Sequence, residues 1–476
     1  MIMRKVITAI MALSLAGGAY ASEHARKTPA VQVDFDRGVD VKTILSDSDF
    51  QTVEVTAPEK IEASADHNSN PAVKEWTVMV YMNGKNDLER YALRNLNEME
   101  LVGSNQSVNM VAEIGRMNGQ KDDSHNDGDW TGSRRYYITQ DSDRNRVASE
   151  VAQFIPNADM GDWRHLVDFA KWARKNYPAR RYALIIWNHG TGWVTDKRLK
   201  TGKGISYDDE TKNHISTPEL GAAMRTIGKV DILAYDACLM QMAELIYEVN
   251  GYADYVVGSE EIIWGSGLHY SVILKAFAKS YTSEEVVCAM GRVYYDFYSA
   301  KDREKTTKAT LSAVRMSALD EFVSAFNAWT EALLASSKGL QIKRKIYSAR
   351  AYTTNDNKDL YDVARLAAEA DPQGAVAEKG LAMMRVIKDK LIVSHFSTGP
   401  DADHGLAIYL PANRYNENYD QLAWAHATRW ARFLKKLNAV PVPAMVVVKG
   451  CIYPGPGAST EQQAEYIVCV LNASPN

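Results

Sequence analysis

Two side chains that could act together on an acyl group follow two apolar runs of the sequence. His189 comes two residues after the run Tyr182–Trp187, and Cys238 comes three residues after the run Val230–Tyr235. A cysteine attacks as its thiolate, and a free thiol ionises only near pH 8.5, so a neighbouring imidazole is needed to take its proton. The same imidazole can later return that proton to a leaving amine. The pair therefore predicts thiol-dependent cleavage of peptide bonds.

Two further residues suit the same chemistry. Gly190 leaves its backbone N–H unobstructed, and with the N–H of Cys238 it could hold an oxyanion, where losing one donor typically costs about 3 kcal/mol. Asp236 could pair with a cationic substrate group, or it could cap the following helix. A lone cysteine after a strand is more often a small buried residue, and a lone histidine is more often structural. It is their joint placement that favours a site.

The elements around these residues predict one α/β sheet. Buried strands are expected at 76–82, 108–114, 182–187 and 230–235, with a more polar strand near an edge at 135–139 and helices at 88–101, 163–176, 218–227 and 239–249. Thr217 is expected at the N-cap of the third helix. Strands alternating with helices imply right-handed β-α-β units and a mostly parallel sheet. In such sheets the chemistry lies beyond the carboxyl ends of the strands.

The rest of the chain is more helical. Helices dominate 283–370, strand-like runs recur at 310–314, 391–396 and 405–410, and a helix is expected at 420–437. The tail reads as a β-hairpin of runs 445–448 and 466–471. Cys451 and Cys469 lie in or beside these runs, so we expect either a disulfide, contributing about 3 kcal/mol, or two separate thiols.

The N-terminus reads as a secretory signal over residues 1–21. Arg4 and Lys5 precede the apolar run 6–16, and Ala19-Tyr20-Ala21 is a small-x-small cleavage site. Export to the periplasm or beyond the cell is therefore expected, where disulfides persist. Residues 22–72 would be a pro-segment or a loosely packed N-terminal arm, residues 73–412 the main domain, and residues 413–476 a C-terminal helix and hairpin.

The composition excludes several other classes. The formal net charge of the 476 residues is −4, which gives no reason to expect nucleic acid binding, and no run of about 18 apolar residues predicts a membrane span. Phosphate-loop, serine-elbow and zinc-protease motifs are missing from the sequence. No metal is predicted as a requirement. An acidic cluster could bind Ca²⁺, although a solvated loop is the commoner explanation; it consists of Asp122, Asp123, Asp127 and Asp129.

Five stretches resemble the clostripain-like cysteine peptidases, family C11. They are WTVMVYMNGKNDLE (76–89), YALIIWNHGTGW (182–193), ISYDDETKNHISTPEL (205–220), DILAYDACLMQMAE (231–244) and GLAIYLP (405–411). The resemblance covers roughly 74–435 and implies a caspase-type α/β fold, with His189 as general base, Cys238 as nucleophile and no necessary third acid. It also implies that Asp236 lines the pocket for an Arg or Lys at P1. The gap of 238 − 189 = 49 residues agrees with a caspase-type spacing of about 50.

One departure from the family bears on specificity. Ser259-Glu260-Glu261 is present, but Ser266 stands where the family often has an aspartate that can also face the P1 side chain. With one acid fewer, the preference for basic residues could be weaker or shifted. Glu260 or Glu261 could compensate.

The resemblance also implies a zymogen that is cut after a basic residue between the histidine and cysteine strands. The connection 197–204 (KRLKTGKG) is rich in such residues. Lys203 is the preferred cleavage site and Lys200 the second, unless the segment is only a solvated charged loop. Active enzyme would be a monomer or a self-cleaved complex of two fragments.

The sequence thus predicts an exported cysteine endopeptidase that cuts proteins or peptides after Arg or Lys and requires no cofactor. Two other functions remain open. One is an inactive binding or scaffold protein on a peptidase fold. The other is a cysteine transpeptidase, which uses the same acyl-enzyme but passes the acyl group to an amine.

Overall fold

The computed structural model describes residues 73–120, 123–193, 204–279, 281–301, 308–399, 403–412 and 414–439. All of these except 297–301 belong to one compact unit. The predicted signal, the arm 22–72, Asp122, both lysines of the proposed cleavage sites and the Cys451–Cys469 hairpin lie outside the described residues. The expectations about them, and the domain boundaries, stay predictions.

A mixed sheet of nine strands forms the centre of the described unit. The strands are β1 (Lys74–Asn83), β2 (Val108–Arg116), β3 (Gly132–Tyr137), β4 (Val151–Ile155), β5 (Ala179–Trp187), β8 (Val230–Asp236), β9 (Ala253–Gly258), β10 (Thr310–Arg315) and β12 (Ile392–Ser397). From one edge of the sheet to the other they lie in the order β12-β10-β9-β8-β5-β1-β2-β3-β4. The five central strands, from β9 to β2, are parallel, and the pairs outside them are antiparallel. Two small antiparallel pairs accompany the sheet, β6 (Ile205–Asp208) with β7 (Asn213–Ile215) and β11 (Asn357–Asp359) with β13 (Ala407–Tyr409).

Helices cover both faces of the sheet. They are α1 (Glu89–Glu100), α2 (Trp163–Asn176), α3 (Thr217–Ile227), α4 (Ala243–Glu248), α5 (Tyr270–Ala278), α6 (Ser283–Lys301), α7 (Leu319–Ala335), α8 (Gly339–Ile346), α9 (Leu360–Ala370), α10 (Ala375–Val386), α11 (Ala423–Ala427) and α12 (Trp430–Ala439). Side chains alternate along a strand, so β1 contacts both layers. Met79 and Tyr81 pack in one cluster with residues of α2, whereas Trp76 meets Phe277 of α5 edge-on at 5.1 Å.

The predicted fold class, a mostly parallel sheet flanked by helices, is confirmed. Several elements differ from prediction. Strands β4, β6, β7, β9 and β11 were not predicted, helix α4 begins at Ala243 rather than Leu239, and the helix expected at 420–437 is broken into a 3₁₀ turn (Glu417–Gln421), α11 and α12. The predicted N-cap was also wrong. Ser216 caps α3, because its side chain and that of Glu219 form a capping box with the two backbone N–H groups.

The register places four carboxyl ends side by side. Trp187, the last residue of β5, lies opposite Asp236, the last residue of β8, and β1 and β9 flank this pair. The segments that leave these four strands therefore meet at one edge of the sheet.

Candidate active site

His189 lies at this edge with its ring partly exposed. Nε2 of the ring is 2.7 Å from Oδ1 of Asp87, and both side chains are open to solvent, at 42% and 59%. Asp87 follows the end of β1 by four residues, so the sheet order brings it to the neighbouring strand end. Asp87 was not among the residues predicted from the sequence. Its place after a buried strand, at the same edge as His189, was the available signal.

Cys238 follows β8 by two residues and is partly buried. Its sulfur accepts a hydrogen bond from the backbone N–H of Ile263 at 3.3 Å and lies 3.6 Å from the carbonyl oxygen of the same residue. Burial is the main cause that raises the pKa of the thiol to about 11; the nearby carboxylates of Asp236 and Glu261 act in the same direction, and the hydrogen bond from Ile263 acts against them. The thiol is therefore protonated at neutral pH in this conformation. Its hydrogen bonds are with Ile263, whereas the hydrogen bond of the His189 ring is with Asp87.

Backbone contact joins the two strand ends. A Cβ built on Gly190 would lie 2.5 Å from the carbonyl oxygen of Cys238 and 3.0 Å from Cβ of Ala237, so only glycine leaves room here. The residue after Cys238, Leu239, has a φ of 62°, which is uncommon for a residue with a side chain and marks a sharp turn. The structure thus packs Gly190 against the backbone of Cys238, and the roles of His189, Gly190 and Cys238 in a reaction stay predictions.

The Asp236 carboxyl is buried two residues before Cys238. Its Oδ2 accepts hydrogen bonds from the hydroxyl of Tyr270 at 2.9 Å and from the backbone N–H of Leu268 at 3.1 Å. Both of these partners are neutral groups. Burial raises its pKa to about 7, although both hydrogen bonds lower it. Asp236 does not cap α4, because that helix begins seven residues later.

The two glutamates that could compensate for Ser266 are held elsewhere. Glu260 is buried, and its Oε1 accepts a hydrogen bond from Ser312 at 2.7 Å. Glu261 forms an ion pair with Arg350 at 3.2 Å and accepts from Thr353. Ser266 itself is buried in a loop, residues Trp264–Leu268, that covers Asp236.

A buried polar network fixes the segment that carries Asp87. Lys85 has a fully buried side chain and forms ion pairs with Asp208 at 3.3 Å and with Glu210. Asn188, which precedes the histidine, donates from Nδ2 to the backbone oxygen of Asn83 and accepts from the N–H of Tyr207. The ends of β1 and β5 and strand β6 are thereby tied together.

Two apolar side chains lie exposed in the segment that contacts Cys238. Ile262 and Trp264 flank Ile263, whose backbone binds the sulfur of Cys238, and they are 36% and 45% exposed. Exposed apolar patches often mark binding surfaces.

The acidic residues near 125 do not converge in the described part of the chain. Asp123 accepts from the N–H of Gly119, Asp127 accepts from the N–H of Val147, and Asp129 lies 2.8 Å from His125. Among the described residues, no group of three or more His, Cys, Asp or Glu side chains is placed to hold a metal ion. None of the described helices is both long enough and apolar enough to cross a bilayer.

Fold and site together define an α/β protein that carries a cysteine and a histidine on neighbouring ends of a parallel sheet. The model of the clostripain family, peptidase C11, matches residues 80–437. Because that match covers well over half of the chain, the protein belongs to the clostripain family.

Known proteins resemble parts of the chain to different extents. Clostripain from Hathewaya histolytica is 29% identical over 233 residues, which is 45% of this chain and 44% of that relative. The chain thus matches less than half the length of this curated relative.

Solved structures share the fold. A secreted C11 cysteine protease from Bacteroides thetaiotaomicron, in complex with an irreversible peptide inhibitor, has a TM-score of 0.58 and 20% identity, over 75% of this chain and 99% of that one. An inactive zymogen C11 protease from Parabacteroides distasonis has a TM-score of 0.58 and 20% identity, over 76% and 99% of the two chains.

Proposed function

We propose that this protein is an exported cysteine endopeptidase that hydrolyses peptide bonds after Arg or Lys. The observation that supports the proposal is that His189 and Cys238 follow the ends of two adjacent parallel strands, with the buried carboxyl of Asp236 at the end of one of them. Membership of the clostripain family supports the class of reaction.

In the proposed reaction the Cys238 thiol gives its proton to His189 as the sulfur attacks the scissile carbonyl carbon. The N–H groups of Gly190 and Cys238 hold the oxyanion of the tetrahedral intermediate. When the intermediate collapses, the C–N bond breaks, the proton passes from His189 to the leaving amine, and a thioester remains. A water molecule then gives a proton to His189 and attacks the thioester, which releases the acid and restores the thiol.

Asp87 supports the proton transfer. Its carboxylate already bonds to Nε2 of His189, so it stabilises the imidazolium that forms when the thiol loses its proton. This stabilisation is needed because the pKa of the thiol is raised, so the thiol ionises only if the acceptor of its proton, His189, is stabilised in its charged form.

The preference for Arg or Lys follows from the negative charge of the Asp236 carboxylate, whose two hydrogen-bond donors are neutral. A P1 guanidinium or ammonium group would replace its neutral donors with a charge-assisted pair. The carboxyl is only 3% exposed, so the Trp264–Leu268 loop must admit the side chain.

Self-processing after Lys203 or Lys200 is part of the proposal. The N–H of Gly204 donates to Oγ1 of Thr191 at 3.2 Å, while the N–H of Thr191 donates to the Gly204 oxygen at 3.0 Å. A cut just before Gly204 would leave the new terminus bound two residues from His189, so the fragments would stay associated. The zymogen and secreted relatives support activation by cleavage and export.

The test uses fluorogenic peptides with Arg, Lys or Asp at P1, under reducing conditions. Wild type should cleave the first two and should appear as two fragments on a denaturing gel. Cys238→Ala should do neither. Cys288→Ala is the matched control, because Cys288 is the other free cysteine of the described residues and lies on α6.

Three other results would contradict the proposed function or favour another one. Turnover that is the same in Cys238→Ala would contradict thiol catalysis. No turnover with any P1 residue would favour the scaffold function. Formation of amide products with an added amine, at the expense of hydrolysis, would favour the transpeptidase.

A further inference from the structure

Helix α1 brings a second carboxylate to the buried Asp236. Glu98 lies in the last turn of this helix, and its side chain is 20% exposed. Asn95, one turn earlier, donates from Nδ2 to Oε2 of Glu98 and to the backbone oxygen of Ser266, both at 3.4 Å. The side chain of Glu98 therefore lies next to the loop that covers Asp236.

Tyr270 connects the two acids. Its hydroxyl donates to Oδ2 of Asp236 at 2.9 Å, and its backbone N–H forms a hydrogen bond to Glu98. The hydroxyl of Tyr270 thus binds the carboxyl of Asp236, and the backbone of the same residue binds that of Glu98.

A glycine lets the covering loop pack closely on the carboxyl of Asp236. Gly267 has a φ of +63°, and a Cβ built on it would lie 2.6 Å from Oδ2 of Asp236 and 3.2 Å from Oδ1 of Asn95. Any side chain at this position would collide with the carboxyl, so the loop lies directly over both Asp236 and Asn95.

Glu98 and Asp236 act on each other as like charges. Burial raises the pKa of Glu98, and the charge of Glu98 adds to the rise in the pKa of Asp236 that burial causes. Arg94 and Arg144 lower the pKa of Glu98. Arg94 forms a long ion pair with Glu98, with its Nε 4.0 Å from Oε1, while its Nη2 donates to the oxygen of Gly265 at 3.1 Å. A cation entering between the two acids would stabilise both of their charged forms.

We propose that Glu98 is a specificity-determining residue, the second acid of the pocket for a basic P1 side chain. Its carboxylate, on α1, would supply the second negative charge of the pocket. Ser266, in the loop where the family often has an aspartate, does not supply that charge. This inference rests on the proposed function, because it assumes that the P1 side chain enters beside Asp236.

The experiment compares kcat and KM for peptides with Arg, Lys or citrulline at P1, citrulline being a neutral analogue of arginine. Glu98→Gln should lower the preference for Arg over citrulline by roughly three- to tenfold, mainly through KM, as expected for a partly exposed charged pair. Asp236→Asn should lower it further. Glu378→Gln is the control, because Glu378 is an exposed glutamate on a distant surface helix.

Arg94→Gln separates the proposal from a structural role. If Glu98 serves the P1 cation, removing Arg94 takes away a competing positive charge, so the preference for Arg should hold or rise. If Glu98 only anchors the loop through Arg94, both variants should lose activity equally on all three peptides, and the proposal is overturned. An unchanged Arg-to-citrulline ratio in Glu98→Gln also overturns it. Failure of the proposed function looks different, because wild type would then cleave none of the peptides.

Discussion

At the scale of single residues, the sequence predicts the reactive pair but not its electrostatics. The types and spacing of His189 and Cys238 predict that they meet at two strand ends; the two strands that precede them are neighbours in the sheet, and the meeting of the side chains stays a prediction. The contact between His189 and Asp87 joins positions 102 residues apart and depends on which strand lies beside β5. Strand order follows from tertiary packing, so a local pattern could not reveal this partner.

Asp87 is expected to position and stabilise the charged ring of His189. Asp87→Ala should lower kcat about tenfold or more with KM nearly unchanged, the size of effect usual for general acid–base assistance. Asp87→Glu should recover part of the loss. Steady-state kinetics with an Arg-P1 peptide would decide this, and a rise in KM at constant kcat would show that Asp87 contacts substrate instead.

The charge of Asp236 is expected to suppress ionisation of the nucleophile. Its carboxylate is among the groups that raise the pKa of the Cys238 thiol to about 11. Asp236→Asn should therefore lower that pKa and speed alkylation by iodoacetamide at pH 8.5 roughly threefold. The rate is measured in a background with Cys288→Ala, Cys451→Ala and Cys469→Ala, so that Cys238 is the only cysteine of the sequence left to react. An unchanged rate would mean that burial alone sets the thiol pKa.

At the scale of elements, apolar runs predict the buried strands well and the polar or short ones poorly. Strand β1 lies where its continuous apolar run places it, whereas β4 (VAQFI) is only five residues long, is interrupted by Gln153 and is largely exposed. The six residues of β9 include Asp254 and Tyr255, so they do not read as a buried run. Helix α4 starts late, because the chain first makes the turn at Leu239.

The buried ammonium group of Lys85 is expected to hold the β1–α1 segment in place. Lys85→Met leaves Asp208 buried without its counter-ion, which should cost about 3–5 kcal/mol of unfolding free energy. Glu210→Gln, at a half-exposed partner of the same lysine, should cost about 1 kcal/mol or less. Urea unfolding of both variants tests this. Equal losses would contradict a central role for the Lys85–Asp208 pair.

At the scale of the whole molecule, the fold class could be predicted because strands and helices alternate along the sequence. The contact between α4 and the C-terminal segment could not be predicted from the sequence. Glu244 of α4 is buried, and its Oε1 accepts from the hydroxyl of Tyr419 at 2.6 Å and from the N–H of Tyr409 at 3.0 Å. Contacts over 165 and 175 residues leave no local pattern in the sequence.

This contact predicts how stability depends on pH. Burial raises the pKa of Glu244 from 4.5 to about 7, so folding favours its protonated form. That favourable contribution is complete below about pH 4.5 and is lost as the pH rises through 7. Relative to Glu244→Gln, wild type should lose about 3 kcal/mol across this window, since one pKa unit corresponds to about 1.4 kcal/mol. Urea unfolding of both proteins from about pH 4.5 to about pH 8 measures the difference, and parallel curves would contradict the prediction.

The contact of Gly190 with the carbonyl oxygen of Cys238 has a consequence for evolution. The spacing between the segments that carry His189 and Cys238 is set by main chain against main chain, with no room for a side chain at Gly190. Substitutions elsewhere in the core can therefore accumulate without altering that spacing. This backbone contact gives a physical reason why the architecture can persist between chains that retain only one residue in five. A library with every amino acid at position 190, selected for activity, should return glycine alone.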